Sequence, residues 1–203
     1  PTPTSIIAEC DADGNSFSEF NLASLIPSIL NGAPNITITF HETQQDANDG
    51  NNAIGPLYTN INQQIQFIYV RAENNLTGCF STIMIELNAN PAPVIPPTAV
   101  LQNITKCDTG TNNQNGLTTF DLTIQEAGIL AAQTSGASPY TITYHTSELN
   151  AEAGTAPIIN PANFNNTSNP QLIWVRIKDS KGCKSIGSFQ LLVNLPMVYP
   201  NPL

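Results

Sequence analysis

Charge is what this sequence has least of. Only 10% of the residues are Asp, Glu, Lys or Arg, and six basic side chains stand against fifteen acidic ones. A net charge of −9 with so few cations excludes the clustered Lys and Arg that nucleic-acid binding needs to displace counterions, and it disfavours an anionic membrane surface. There are two His and no Cys-x-x-Cys, so the usual zinc spacings are missing. No apolar run is long enough to span a bilayer, which argues against membrane insertion. The chain opens on Pro1-Thr2-Pro3 without a signal-peptide pattern, closes on Pro200-Asn201-Pro202, and reads as a piece of something longer.

Asn, Thr, Gln, Ile, Gly and Pro take the place of the missing charge. That mixture suits strands joined by many turns. The apolar run Gln66-Phe67-Ile68-Tyr69-Val70-Arg71, followed by Gly78-Cys79, is written again as Gln171-Leu172-Ile173-Trp174-Val175-Arg176 with Gly182-Cys183 behind it. Further pairs keep the same order: Cys10-Asp11 with Cys107-Asp108, Phe20-Asn21-Leu22 with Phe120-Asp121-Leu122, Thr39-Phe40-His41 with Thr143-Tyr144-His145, and Gly50 with Gly154. The chain is therefore a tandem repeat, residues 1–97 and 98–203, with Asn90 to Pro97 as a semi-rigid proline-rich linker. About seven short strands per repeat, with turns every eight to twelve residues, predict an all-β fold of two immunoglobulin-like β-sandwiches. Each also has a short helix, in the first repeat through Leu25, Ile26, Ile29 and Leu30 with Pro27 in its first turn, ended by Asn31-Gly32. Glu42 to Asn52 reads as a polar connection.

Four cysteines, two per repeat at equivalent places, point to disulfides and an oxidising, extracellular compartment. Three connectivities exist. Repeat logic favours Cys10–Cys79 and Cys107–Cys183, since each repeat then closes by itself; a loop of that size contributes about 4 kcal/mol through the unfolded chain.

Asp11-x-Asp13-Gly14-Asn15 resembles the start of a calcium loop, with Glu19, Asp46 or Asp49 available to complete a shell. Leu22 stands where an EF-hand needs its bidentate Glu, so the favoured reading is an Asx-turn bonding its own backbone. In the second repeat the turn Asp108 to Asn113 carries less charge. His41 and His145 occupy matching strand ends with no nucleophile or carboxylate pair converging on them, so catalysis is not expected and the chain is not read as an enzyme. Arg71 and Arg176 recur because the fold needs them, bonded to a carboxylate or to carbonyls. Tyr69 and Trp174 share a phase that reads as core, and Tyr58 and Phe164 read as buried counterparts. Asn35, Asn75, Asn103 and Asn166 match the glycosylation pattern, as chance alone provides in so Asn- and Thr-rich a chain.

Together, Cys10-Asp11-x-Asp13-Gly14, Phe20-Asn21-Leu22, Thr39-Phe40-His41-x-Thr43-x-x-Asp46-Ala47, Ile68-Tyr69-Val70-Arg71 and Thr77-Gly78-Cys79 resemble the hundred-residue repeats of very large surface proteins of Bacteroidota. Those are secreted by the type IX system and are similar to SprB-type adhesins of gliding flavobacteria. The resemblance implies stalk repeats of a cell-surface adhesin, acting in adhesion or gliding motility. The partners would be neighbouring repeats of the same chain, and surface polysaccharide or another surface protein. The alternative is a carbohydrate- or protein-binding module working through its end loops. Thr109-Gly110 and Asn150 replace the acidic positions in the second repeat, so the calcium alternative to the Asx-turn applies to the first repeat only.

Overall fold

The computed structural model describes residues 5–95, 101–108, 114–134 and 136–197. The chain divides into two units, Pro1–Pro91 and Ala92–Leu203. Pro96 and Pro97 of the expected linker, and the turn residues 109–113, lie outside the described residues.

In the first unit the strands are β1 (Ser5–Asp11), β2 (Glu19–Asn21), β3 (Ile36–His41), β4 (Leu57–Thr59), β5 (Ile65–Asn74) and β6 (Phe80–Pro91). A four-stranded sheet runs in the order β1-β6-β5-β3, and β2 pairs with β4 in a separate two-stranded ribbon. β1 runs parallel to β6, with Ser5 opposite Ile85, whereas β5 lies antiparallel to both β6 and β3. The period-two alternation of β5 decides which face is buried. Gln66, Ile68 and Val70 are buried, while Phe67 is exposed. Ile68 and Val70 pack with Ile85 and Leu87 of β6, Phe20 and Leu22 beside the ribbon, Phe40 and Tyr58. Each such fully buried aliphatic contributes about 1.5–3 kcal/mol.

A 3-10 turn (Leu22–Leu25) leads into the short helix α1 (Ile26–Leu30), with Pro27 in its first turn and Asn31 left-handed at its end. Leu25, Ile26 and Ile29 lean on the core, as the apolar spacing predicts. Asn21 makes no side-chain cap; instead Ser24 donates its hydroxyl to the Asn21 carbonyl at 2.6 Å. The expected polar connection after β3 contains a second helix, α2 (Gln44–Asp49).

The second unit repeats the plan with β7 (Ile104–Cys107), β8 (Thr119–Phe120), α3 (Glu126–Ala131), β9 (Thr141–His145), α4 (Glu148–Ala153), β10 (Phe164–Asn165), β11 (Gln171–Lys178) and β12 (Lys184–Asn194). Its sheet order is β7-β12-β11-β9, with β8 and β10 as the ribbon. The architecture is thus all-β in two repeated units. The second layer is smaller than in a full sandwich, because short strands and helical turns cover the inner face of each sheet.

Residues 92–95 of the expected semi-rigid linker are bound to the second unit. Gln133 clamps Val94 from both sides, accepting from its N–H at 2.8 Å and donating to its carbonyl at 2.6 Å, and Ser185 donates to the Pro93 carbonyl at 2.6 Å. Ile95 packs on the second unit's core above Gly187, where a Cβ would stand 2.6 Å from Ile95 Cγ2.

Candidate functional site

The cysteines depart most from the sequence reading. Cys10 and Cys183 are disulfide-bonded, whereas Cys79 and Cys107 are free, exposed thiols. The expected pairs Cys10–Cys79 and Cys107–Cys183 are therefore both absent. Closure of each repeat by itself was the wrong premise, because each hydrophobic core assembles without a staple of its own.

Local geometry holds each second cysteine at a hairpin end. In the second unit, Asp179 N–H donates to the Cys183 carbonyl at 2.9 Å, and the buried Asp179 carboxylate accepts from the N–H groups of Cys183 and Lys181 at 2.8 and 3.0 Å. In the first unit Asn74 takes that place, its N–H donating to the Cys79 carbonyl at 2.9 Å. Cys79 then opens onto a groove of about 350 Å³ walled by Ile29, Leu30, Ile36, Asn74 and Phe80.

The acidic turn has a complete local account. Asp11 is 3% exposed, and its carboxylate accepts from the N–H groups of Gly14, Asn15 and Ser16 at 2.9, 3.2 and 2.7 Å. Asp13 accepts from Asn15 N–H at 3.2 Å and from its amide at 2.8 Å. Asp46 and Asp49 are not beside these residues in the chain's architecture but on α2. Thr43 caps α2, accepting from the Asp46 N–H at 3.0 Å and donating its hydroxyl to the Asp46 carboxylate at 2.5 Å. Those bonds from Thr43, joined by one from Asn52, hold the Asp46 carboxyl below its ordinary value. Asp49 accepts from Gln45 at 2.7 Å, and Glu19 is an exposed residue of β2. Among the described residues, no three His, Cys, Asp or Glu are grouped to hold a metal ion.

Both histidines are fully buried, and each ring has the same two partners. His41 Nδ1 donates to the Asn51 carbonyl at 2.6 Å, and His145 Nδ1 to the Thr155 carbonyl at 2.9 Å. A carbonyl can only accept, so the other nitrogen takes the threonine hydroxyl, Thr39 at 2.8 Å or Thr143 at 3.0 Å. Burial pushes the His145 pKa below its usual 6.5, and neighbouring Arg176 adds to the effect. These rings tie a strand end to the loop beyond the helix.

Arg71 closes α2. Its Nη1 donates to the carbonyls of Ala47 and Asn48 at 2.9 and 2.8 Å, its Cζ lies 3.6 Å from the centroid of the Phe80 ring, and Glu73 neutralises it. Gly50 and Gly154 follow α2 and α4 at φ of 70° and 69°. The guanidinium comes so close that a Cβ at Gly154 would lie 3.2 Å from Arg176 Cζ. Left-handed backbone and close approach together require glycine there.

Two buried amides have a structural role that no motif singled out above assigns them. Asn60 accepts from Ser18 N–H at 2.7 Å and donates to the Ser16 and Asn62 carbonyls; Asn166 accepts from Thr118 N–H at 2.7 Å and donates to Gly116 and Ser168. Asn166 is 3% exposed, so its glycosylation match lies in the interior. Equivalence between the repeats was the signal that could have found the pair. Tyr69 and Trp174 lie on the outer sheet face and are half-buried, a correction to their reading as core, while Tyr58 is buried and Phe164 packs against the second core.

With the geometry in hand, the model of one domain family, described as the Flavobacterium inter-domain disulphide bond domain, matches residues 6–93 and again 103–197. No curated protein sequence matches the chain. Solved structures similar to it include the human desmocollin-1 ectodomain, at 14% identity and TM-score 0.25 over 98% of this chain and 37% of that one. Drosophila N-cadherin EC1-4 gives 11% identity and TM-score 0.22 over 80% and 42%. A Bacteroides ovatus protein of a mixed-linkage glucan utilization locus, SGBP-B, gives 12% identity and TM-score 0.24 over 94% and 45%. The chain thus spans less than half of each, and these scores are too low to bear on its fold or function.

Proposed function

This chain belongs to the Flavobacterium inter-domain disulphide bond domain family, and on that premise we propose that its two units are load-bearing stalk repeats of an extracellular cell-surface adhesin, without catalysis. Adhesion or gliding motility is the setting this reading favours, with neighbouring repeats as the principal partners and surface polysaccharide or another surface protein at the working end. An oxidising exterior suits the disulfide. Among the described residues no helix is long and apolar enough to cross a membrane.

The observation that supports the mechanical role lies within each unit: its first and last strands of the main sheet run parallel, β1 beside β6 over seven residue pairs and β7 beside β12 over four. A pull on the two ends of a unit draws such parallel neighbours in opposite directions along their length, so their hydrogen bonds are loaded in shear and break together.

Single-molecule pulling from the termini tests this. Two unfolding steps are expected, one per unit, with the first unit, whose parallel pair is longer, giving way at the higher force. Both units opening at the low force of strands peeled apart one bond at a time would overturn the load-bearing role.

A further inference from the structure

The two repeats carry the same groove, filled in one and open in the other. In the second unit it holds residues 92–95: Ser185 donates to the Pro93 carbonyl, Gln133 clamps Val94 through its N–H and its carbonyl, and Pro93 lies against Gly136, where a Cβ would stand 3.3 Å from the proline nitrogen. Three residues around that segment have counterparts in the first unit. Ser185 follows Cys183 by two residues as Ser81 follows Cys79, and Tyr140 precedes His145 by five as Ile36 precedes His41. Gln133 and Ala33 hold one backbone position, each donating its N–H to a helix leucine carbonyl, that of Leu130 at 3.2 Å and that of Leu30 at 2.8 Å. Ser81, Ala33 and Ile36 all line the open groove of about 350 Å³ in the first unit, beside Leu30 and Ala72.

We propose that the first unit's groove is a docking site for a proline-rich linker of the kind that residues 92–95 form, contributed by a neighbouring repeat. This rests on the stalk reading, in which repeats are one another's principal partners. The second unit supplies the argument for the occupant, since its own groove is filled by such a segment. Shape agrees: Ala72 stands where the second unit has the fully buried Ile177, which leaves room for a proline ring. Charge agrees too. The residues lining the groove are uncharged in a unit with nine acidic side chains, and Asn90 to Pro97 is uncharged throughout, so docking buries no charge on either side. Proline holds such a segment extended beforehand, and little freedom is lost on binding.

The two grooves differ in grip. Ala33 has no amide with which to clamp the segment. Ile83, opposite Val70, stands in place of Gly187, opposite Val175, and takes the space that Ile95 fills in the second unit. The first groove therefore accepts a Pro-Val pair through the Ser81 hydroxyl and releases it more readily.

The test titrates the intact 203-residue chain, labelled with nitrogen-15, with the synthetic peptide Asn-Pro-Ala-Pro-Val-Ile-Pro-Pro, the sequence from Asn90 to Pro97, and follows the amide signals. Saturable shifts are expected at Leu30, Ala33 and Ser81. Ala33→Gln supplies the missing clamp and should tighten binding about tenfold or more through two added hydrogen bonds. Ala33→Glu puts a charge into the groove at an exposed position and should abolish the shifts while the rest of the spectrum stays unchanged. Shifts confined to the end loops or to Gln133 and Ser185, no shifts with peptide in large excess, or equal affinity in the wild type and both variants would each overturn the proposal. The pulling experiment reads the parallel strand pairs within each unit, so the two readings fail separately.

Discussion

Arg71 and Glu73, two residues apart on β5, form an ion pair in which Nε and Nη2 both donate to one carboxylate oxygen, at 2.9 and 2.7 Å. In the second repeat Lys178 stands at the position of Glu73, and Arg176 Nε is buried without a hydrogen-bond partner. Lys178 also faces Lys184 across the sheet, a like-charge pair. Replacing Lys178 by Glu supplies a carboxylate for Arg176 and removes that repulsion. The Lys178→Glu chain is expected to gain about 0.5–1 kcal/mol in urea unfolding. Trp174, the single tryptophan, reports the second unit alone by fluorescence. An unchanged or lower midpoint would show that Arg176 is already satisfied.

The His145 ring is the pH-sensitive element. Its folded pKa lies below the 6.5 of the free side chain, chiefly from burial. The unfolded chain therefore binds the proton more readily than the folded one, and the stability of the second unit rises with pH across that window. It is fully present above about pH 6.5 and is lost as pH falls toward the folded value, at no more than about 1.4 kcal/mol per pH unit. Urea midpoints followed by Trp174 fluorescence from pH 8 to pH 5 should show this decline. His145→Gln should remove that part of it, and an identical decline in the variant would assign the slope to the carboxylates.

Residues 92–95 bind the second unit in a way that a single methyl can test. Gly187 has no side chain because Ile95 Cγ2 would lie 2.6 Å, and Leu101 Cδ2 3.2 Å, from its Cβ. Ile95 is β-branched and cannot swing away freely. Gly187→Ala should cost about 1–3 kcal/mol in the second unit. Adding Ile95→Ala should recover part of the loss, so that a double-mutant cycle shows coupling. Additive effects would mean that Ile95 does not pack over this strand in solution.

Much of the fold was legible because the repeat wrote each strong signal twice. Alternation in Ile68 and Val70, the proline and Asn-Gly around α1, and the equivalent cores all follow from pattern. α2 and α4 were missed because six residues with one buried alanine each, Ala47 and Ala151, carry no apolar stripe. Their caps Thr43 and Ser147, and the glycines after them, were the available signs. Tyr69 and Trp174 were placed inside because aromatic residues beside buried neighbours look alike in either phase. The state of the cysteines was not legible: equivalence between the repeats made a pairing within each look natural, yet Cys79 and Cys107 are free.

Asp11 separates two readings of the acidic turn. Its carboxylate is turned toward its own backbone, where three N–H groups already occupy both oxygens. A calcium ion would need those oxygens together with others, and Asp46 is engaged with Thr43 and Asn52. The hydrogen-bonded turn predicts that Asp11→Ala leaves three donors without their acceptor and costs about 2 kcal/mol or more, with Asp11→Asn milder. It also predicts one melting temperature for the first unit with calcium and with chelator. Melting followed by circular dichroism in both conditions, for wild type and for Asp11→Ala, gives the answer. A chelator-induced drop in the wild type that vanishes in Asp11→Ala would make the turn a calcium site.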